Sequence, residues 1–307
     1  MSLLLALIGY FFLAIVVLLD KKIVSGTTLK PVVYTFYSTI FLLVLFLFLP
    51  FGIHIISPLL TAYSVVSGVT FGLALWSMFV AMKHAEASHV GPFIGACITV
   101  ATFFFGSFFL AETLTLWQQI GSMVLVASSL LLSFEKTKHK TGLNRGYVWG
   151  IVAGFLFGLS HVAAKVVYEG APFFTGIIWT KGTSGLFAVL LLFFPVVRHI
   201  FQRRHKKRTG TEHKKKQIQT MRTVVLVVSN KILSVAANGL IQYAIAIGSV
   251  TLVNALSGFQ YAFLFLMVLF FSKYYKQVFQ EYMTRREIVV QSIAILCVII
   301  GAGLFVL

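Results

Sequence analysis

The sequence predicts an all-α integral membrane protein with ten transmembrane helices, arranged as two inverted five-helix repeats. Three observations support this. Of the 307 residues, 59% are hydrophobic and only 11% are charged, whereas a soluble domain has about 25% charged residues. Apolar segments close to the ~20 residues needed to cross a bilayer follow one another along the chain. Finally, the segment that closes the first half has a counterpart near the end of the chain.

Short polar breaks and prolines divide the chain into apolar spans. Pro31, Pro58, Pro92 and Pro172 open spans, where the missing amide costs little. Very short breaks such as 248–250 force antiparallel neighbours, which predicts a compact helical bundle. We predict ten spans: 3–19, 32–49, 59–82, 88–110, 116–133, 147–168, 173–197, 223–247, 251–271 and 286–307.

Basic residues predict the orientation. They concentrate in the loops after the odd-numbered spans, and the densest run is 198–222. By the positive-inside rule these loops are cytoplasmic and both termini lie outside, in a multi-pass protein of the cell membrane. The net charge of +17 is explained by these loops, so no nucleic-acid partner is predicted. The first span lacks a basic flank before it, so we expect a retained helix rather than a cleaved signal.

The stretch 108–133 contains the end of one span and the start of the next. Thr115 and Gln118 have the spacing of a capping box, which predicts a helix start. Near the end of the chain the same spacing returns: Glu112, Thr115 and Gln118 correspond to Glu281, Thr284 and Glu287. We therefore predict a first repeat at 1–135, a basic cytoplasmic linker at 136–146 and a second repeat at 147–307. An odd number of spans in each repeat inverts the second relative to the first.

The stretch AMKHAEASHVGPFIG (81–95), followed by FFLAETLTLWQQIGSMVLVASSLLL (108–132), resembles the EamA-type repeat of the drug/metabolite transporter superfamily. That family has a glutamate, a Leu-Thr pair, a glutamine and a glycine at the start of the fifth span. The matching residues are Glu112, Leu114, Thr115, Gln119 and Gly121. The second copy has Val290 where the glycine is expected. The resemblance implies a permease whose fifth and tenth spans lie beside the transport pathway.

Ionisable and polar groups inside spans are costly and usually functional. Lys181 and Lys231 would bind an anionic group, a carboxylate or a phosphate. Lys231 has a second interpretation, snorkelling to the cytoplasmic surface, and His161 could be either a helix-contact residue or a proton relay. For the aromatic residues, packing is the alternative to ligand binding. The candidate substrate-binding residues are Lys181, Lys231, His161, Trp179, Asn238, Gln242, Asn254, Tyr34, Tyr37 and Trp76.

Glycines at four-residue spacing predict close helix contacts. Gly150, Gly154 and Gly158 form such a row in the sixth span, and Gly68 with Gly72 does so in the third. Small residues at this spacing let helix backbones approach each other in lipid. We interpret them as packing residues.

Several classes of function find no support in the sequence. No carboxylate lies in the middle of a span, and Asp20 stands at a span end, which weighs against export of cationic drugs. Nucleotide-binding loops, metal-ligand spacings and a soluble catalytic domain are not recognisable, so we expect neither an enzyme nor a cofactor. Cys97 and Cys297 lie inside spans, as packing residues do.

The predicted function is secondary transport of a small polar metabolite, anionic or zwitterionic, by alternating access. Its partners would be the small-molecule substrate and the lipid bilayer, with proton coupling or exchange through His161 or Lys181, in a monomer or homodimer. One alternative is a flippase for a phosphate-linked lipid intermediate, which predicts a lateral opening between helices. The other is a non-transporting scaffold or sensor, which predicts no continuous polar cavity and lysines that face headgroups or pair with acids.

Overall fold

A computed structural model describes residues 1–26, 30–48, 50, 54–85, 87–133, 145–202, 211–272 and 285–305. Within these ranges the regular elements are all helical. The α-helices are α1 (Ser2–Gly26), α2 (Pro31–Ile40), α3 (Pro58–His84), α4 (Ala87–Phe109), α5 (Leu116–Leu132), α6 (Arg145–Gly170), α7 (Phe173–Leu191), α8 (Pro195–Gln202), α9 (Thr211–Ile247), α10 (Val250–Ala255), α11 (Ser257–Ser272) and α12 (Arg285–Gly303). A 3₁₀ segment, Phe41–Phe48, continues α2.

The predicted all-helical membrane fold is confirmed. Eight segments of the described chain are long and apolar enough to cross a membrane, and two shorter apolar helices, Leu116–Leu132 and Val289–Gly303, fall at the predicted fifth and tenth spans. The count of ten crossings and the inverted repeat stay predictions. Glu281 and Thr284 lie outside the described residues, as do positions 136–144 of the predicted linker and 203–210 of the predicted basic loop.

Four spans differ from the prediction. The seventh ends at Leu191, and a separate helix begins at Pro195. The second changes from α to 3₁₀ geometry at Phe41, and the ninth is broken at Leu256, between α10 and α11. The eighth belongs to a helix that begins at Thr211 rather than at 223. A 3₁₀ stretch of this length is uncommon, since its hydrogen-bond geometry is poorer, and such a stretch often marks a hinge.

The capping box at the start of α5 is confirmed. The amide of Gln118 donates to Thr115 Oγ1 at 3.3 Å, and the amide of Thr115 donates to Gln118 Oε1 at 3.1 Å. Further along α5, Gly121 meets α12 closely, because a Cβ built on Gly121 would lie 2.6 Å from the carbonyl oxygen of Gly301. The cap fixes where α5 begins, and the glycine pair holds α5 against α12.

The glycine rows are packing surfaces, as predicted. A Cβ on Gly154 would lie 2.3 Å from Cβ of Cys97, and one on Gly158 would lie 2.5 Å from Cβ of Ala101. The row on α6 therefore lies directly against α4. On α3, a Cβ on Gly68 would lie 2.2 Å from Thr183 Oγ1 of α7. Without side chains at these positions the backbones approach to distances that alanine would prevent.

Six of the helices form two groups of three around a central space. In the first group α3 and α4 both pack against α6, and in the second α9 and α11 both pack against α1. The 3₁₀ segment and α2 lie against α7, which lies against α3. Outside these groups α5 packs against α12. The central space lies between the two groups and contains the candidate site.

Candidate substrate-binding cavity

A cavity of about 250 Å³ lies between the two helix groups. Its wall is mostly apolar and includes Phe41, Leu45, Phe71 and Val235. The polar side chains in the lining are Tyr10, Asp20, Ser38, His161, Lys181, Lys231, Ser234, Asn238, Asn254, Ser257, Gln260 and Tyr261. A mostly apolar wall with a few converging polar groups is the usual composition of a small-molecule site.

Lys181 is the cation of this cavity that has no charged partner among the described residues. Its side chain is buried, with 5% exposure, and its Nζ has no hydrogen-bond acceptor in the described part of the chain. Nζ lies 4.0 Å from the ring centroid of Phe71, a cation–π contact that compensates only part of the lost hydration. A buried ammonium group that lines a cavity under these conditions can bind an anion.

Lys231 has a different environment. Its Nζ donates to Oδ1 of Asp20 at 3.2 Å, and the same oxygen accepts from Nδ2 of Asn230 at 2.6 Å and from the hydroxyl of Tyr34. Lys231 is 8% exposed and Asp20 is 5% exposed. Lys231 therefore does not snorkel, and its charge is already compensated by a carboxylate. We call Asp20, Tyr34, Asn230 and Lys231 the Asp20 cluster.

The position of Asp20 corrects the sequence analysis. The sequence places it at the end of the first apolar span, which is where the apolar part of α1 ends. However, α1 continues to Gly26, and Asp20 is buried against α2 and α9 and lines the cavity. From the sequence, a carboxylate near the end of an apolar span is expected to be exposed. Its burial depends on residues of other helices, which lie far away in the sequence.

His161 and Asn254, both predicted candidates, lie together in the lining. Nδ1 of His161 is 2.8 Å from Oδ1 of Asn254, whose Nδ2 donates to the carbonyl of Val250 at 2.8 Å. Because the asparagine oxygen accepts, Nδ1 carries the proton and Nε2 is the acceptor nitrogen. His161 can thus accept a hydrogen bond from a molecule in the cavity.

The polar stripe on α9 divides between the cavity and the helix contacts. Ser234 and Asn238 line the cavity, and Nδ2 of Asn238 donates to the carbonyl of Ser234 at 2.8 Å. Gln242, one turn further, lies outside the lining, where its Oε1 accepts from the hydroxyl of Tyr168 at 2.8 Å. Lys231, Ser234, Asn238 and Gln242 are spaced three, four and four residues apart, which places them on one helix face, but α6 covers the outer turn of that face.

The four aromatic candidates also lie outside the lining. Tyr37 packs on the apolar cluster between α2, α7 and α8, and the ring of Trp76 lies 5.4 Å from that of Phe194. The indole of Trp179 donates to the carbonyl of His54 at 3.3 Å. Tyr34 belongs to the Asp20 cluster rather than to the lining. Large aromatic rings bury most of their area against neighbouring helices. Packing, the alternative to ligand binding, therefore explains the positions of these residues.

Tyr10, Gln260 and Tyr261 also line the cavity but were not predicted from the sequence as site residues. Gln260 and Tyr261 stand three and four residues after Ser257 and share its helix face, so they were detectable. Tyr10 stands alone in an apolar run and carries no such signal. Within the described ranges no group of three His, Cys, Asp or Glu residues could hold a metal ion.

Glu112, the glutamate of the family pattern, has a partner on α10. Its Oε2 accepts from Thr251 Oγ1 at 2.6 Å. Just before it, Ala111 has φ 49°, and the amide of Glu112 donates back to the carbonyl of Gly106 at 3.2 Å. The left-handed residue ends α4 and turns Glu112 towards the second half of the chain.

The fold and the cavity together define a class: a multi-pass helical membrane protein with a cavity between two groups of helices. Residues 1–134 match the model of the EamA-like transporter family, so the predicted resemblance is confirmed over this part of the chain. Members of this family are membrane transporters of the drug/metabolite kind. No curated protein gives a significant match to the chain.

One solved structure, described only as the crystal structure of a protein, is similar to this chain in fold. The alignment covers 99% of this chain and 95% of the other, with a TM-score of 0.62 and 16% sequence identity. At this identity the similarity concerns the fold alone. It extends over both halves of the chain, whereas the family match covers the first.

Proposed function

We propose that the protein is a secondary transporter that moves a small anionic or zwitterionic metabolite by alternating access. The observation that carries the proposal is Lys181, a buried lysine that lines a central cavity and has no charged partner in the described part of the chain. A charge inside a membrane protein is costly unless it is compensated. An anionic group of the substrate would compensate it while bound.

Helix contacts support an inverted repeat and alternating access. The contact of α3 with α6 corresponds, five spans apart, to that of α9 with α1, and the contact of α4 with α6 corresponds to that of α11 with α1. The symmetry is broken at one place. Among the described residues α3 packs along α7, whereas α2 and α9 share no comparable contact. The two equivalent interfaces therefore differ in how closely they pack, which is an asymmetry that alternating access would use.

The orientation belongs to the same proposal. Four basic residues are exposed near the ends of α2, α3, α6 and α8: Lys30, Lys83, Arg145 and Arg198. Because successive spans cross the membrane in opposite directions, these four helix ends lie on the same side of the bundle. By the positive-inside rule that side is cytoplasmic. The Asp20 cluster then lies at the cytoplasmic end of the cavity, where α1 ends and α9 enters the membrane.

The scaffold alternative predicts no continuous polar cavity and lysines that face headgroups or pair with acids. Lys231 fits that expectation, because it pairs with Asp20. Lys181 does not, because it lines the cavity and has no acid partner among the described residues. This difference makes Lys181 the residue to test.

The proposal is tested with purified protein in liposomes. A thermal-shift screen against anionic and zwitterionic metabolites selects the substrate, and uptake of that compound is measured with Lys181→Met. We expect uptake to fall at least about tenfold, because a charge-assisted contact contributes roughly 1.5–3 kcal/mol. The variant should fold, since methionine removes a buried charge and retains the side-chain volume.

The matched control is Lys83→Met, which changes an exposed lysine at the end of α3. It should retain the uptake of the unmodified protein. Equal uptake in both variants would remove Lys181 from the site and contradict the proposal.

A further inference from the structure

The cavity reaches the outer surface of the helix bundle between the 3₁₀ segment and α9. Phe41 of the 3₁₀ segment and Val235 of α9 both line it, and each is 49% exposed. Gly239, one turn after Val235, is also in the lining, and a Cβ added to it would meet nothing within 4 Å. These residues mark a cleft between the 3₁₀ segment and α9, which we call the lateral cleft.

The rim of the lateral cleft is apolar. Val44 and Ile232, on the same two elements, are 53% and 67% exposed. Side chains of this kind at membrane depth face lipid tails rather than water. The cleft therefore connects the cavity with the hydrocarbon region of the bilayer.

The Asp20 cluster closes the cleft at its basic end. Tyr34 of α2 and Lys231 of α9 meet there, with Nζ of Lys231 4.4 Å from the centroid of the tyrosine ring. Leu226 and Val227 of α9 also pack against Tyr34 and Phe79. On the other side of the bundle α3 and α7 are in close contact through Gly68 and Thr183. In the described part of the chain, the helices around the cavity are thus separated at the lateral cleft and in contact at the two places named above.

The charges of the lining select the ligand. Asp20 compensates Lys231, and His161 is bonded to Asn254. Lys181 is left as one uncompensated positive charge among the described cavity residues. The rest of the wall, from Phe41 and Leu45 to Phe71 and Phe157, is apolar.

We infer that the cavity takes an amphiphile with a single anionic group and an apolar body, which enters from the bilayer through the lateral cleft. The inference rests on the proposed function and narrows its substrate class. The anionic group binds Lys181, the body contacts the apolar wall, and any further length of chain lies in the cleft. The 3₁₀ segment, with its weaker helical hydrogen bonds, is the wall that moves to admit it.

The test uses two sulfonates with the same charge and different chains. Binding of radiolabelled octanesulfonate and ethanesulfonate is measured on the full-length protein in lipid nanodiscs, after subtraction of binding to empty nanodiscs. We expect octanesulfonate to bind at least about tenfold more tightly, because each buried methylene adds favourable transfer free energy. Lys181→Met should lose binding of both.

Gly239→Leu tests the route. A Cβ at this position meets nothing within 4 Å, so leucine can extend into the cleft. Octanesulfonate binding should then fall at least about tenfold, and ethanesulfonate binding should fall much less. The matched control is Gly303→Leu, since a Cβ on Gly303 also meets nothing within 4 Å but Gly303 is not in the lining. This control should bind both probes as the unmodified protein does.

The outcomes separate the two proposals. Equal affinity for both sulfonates, or octanesulfonate binding that Gly239→Leu leaves unchanged, overturns the lateral inference. If sulfonate binding is still lost in Lys181→Met, the proposed function as an anion transporter is retained, and its substrate is water-soluble. Binding that does not depend on Lys181 overturns both.

Discussion

The two intramembrane lysines show how much a single residue's role depends on distant partners. Lys181 and Lys231 look alike in the sequence, each about a third of the way into an apolar span. In the fold Nζ of Lys231 lies 3.2 Å from Asp20, across 211 positions of the chain, whereas Nζ of Lys181 lies over the ring of Phe71 and has no hydrogen-bond acceptor among the described residues. Lys231 therefore joins α9 to α1, and the proposed function assigns Lys181 to the ligand.

This difference leads to a prediction for the Asp20 cluster. Asp20→Asn or Lys231→Met alone should lower the free energy of unfolding by about 3–5 kcal/mol, because each leaves a buried charge without its partner. The double variant should lose much less than the sum of the two single losses. Unfolding in mixed detergent micelles measures all three variants, and additive losses would show that the two charges are not coupled.

At the scale of the helices, glycine positions set the distances between axes. The contact of α6 with α4 depends on the row at Gly150, Gly154 and Gly158. These rows were predictable, because four-residue spacing defines one helix face whatever the partner. The change to 3₁₀ geometry at Phe41 was not, since the segment FLLVLFLF is uniformly apolar and carries no local signal.

Gly154→Ala tests the helix contact. The added Cβ would lie 2.3 Å from Cβ of Cys97 and 3.1 Å from its backbone carbon, so the variant should lose about 1–3 kcal/mol of stability through overpacking. Gly303→Ala, where the Cβ meets open space, should be unchanged or slightly more stable. Thermal unfolding in detergent compares them, and equal midpoints would contradict the close contact.

At the scale of the whole molecule, the proposed transport cycle should exchange the closer and the looser packing of the two equivalent interfaces. Thr183 Oγ1 donates to the carbonyl of Ser64 at 2.7 Å, which places α7 directly on α3. If this interface opens during transport, a covalent link across it must stop the cycle. By contrast, α3 and α6 belong to one group and should stay together.

The corresponding experiment links Ser64→Cys with Thr183→Cys by a short thiol-specific reagent with a reducible spacer, with Cys97 and Cys297 replaced by alanine. Uptake into liposomes should fall to background and return on reduction. The control pair is Ser67→Cys with Ser160→Cys, whose native hydroxyl oxygens lie 3.4 Å apart between α3 and α6. A link there should leave uptake intact, and inhibition by both links would contradict motion between the groups.

The sequence alone determined the features that depend on residues close to one another along the chain. The apolar lengths, the capping box at Thr115 and the glycine faces are local patterns, and each reappears in the structure. The family resemblance also lies in a continuous stretch, and residues 1–134 confirm it.

Only the tertiary structure decided which candidates share a cavity. It brought His161 to Asn254, buried Asp20 beside Lys231, and moved Gln242, Tyr37, Trp76 and Trp179 out of the lining. The physical reason is that a helix's polar face is encoded in its own sequence, whereas the helix that covers that face is not. Which charge is compensated and which remains for a ligand depends on contacts between the two halves of the chain.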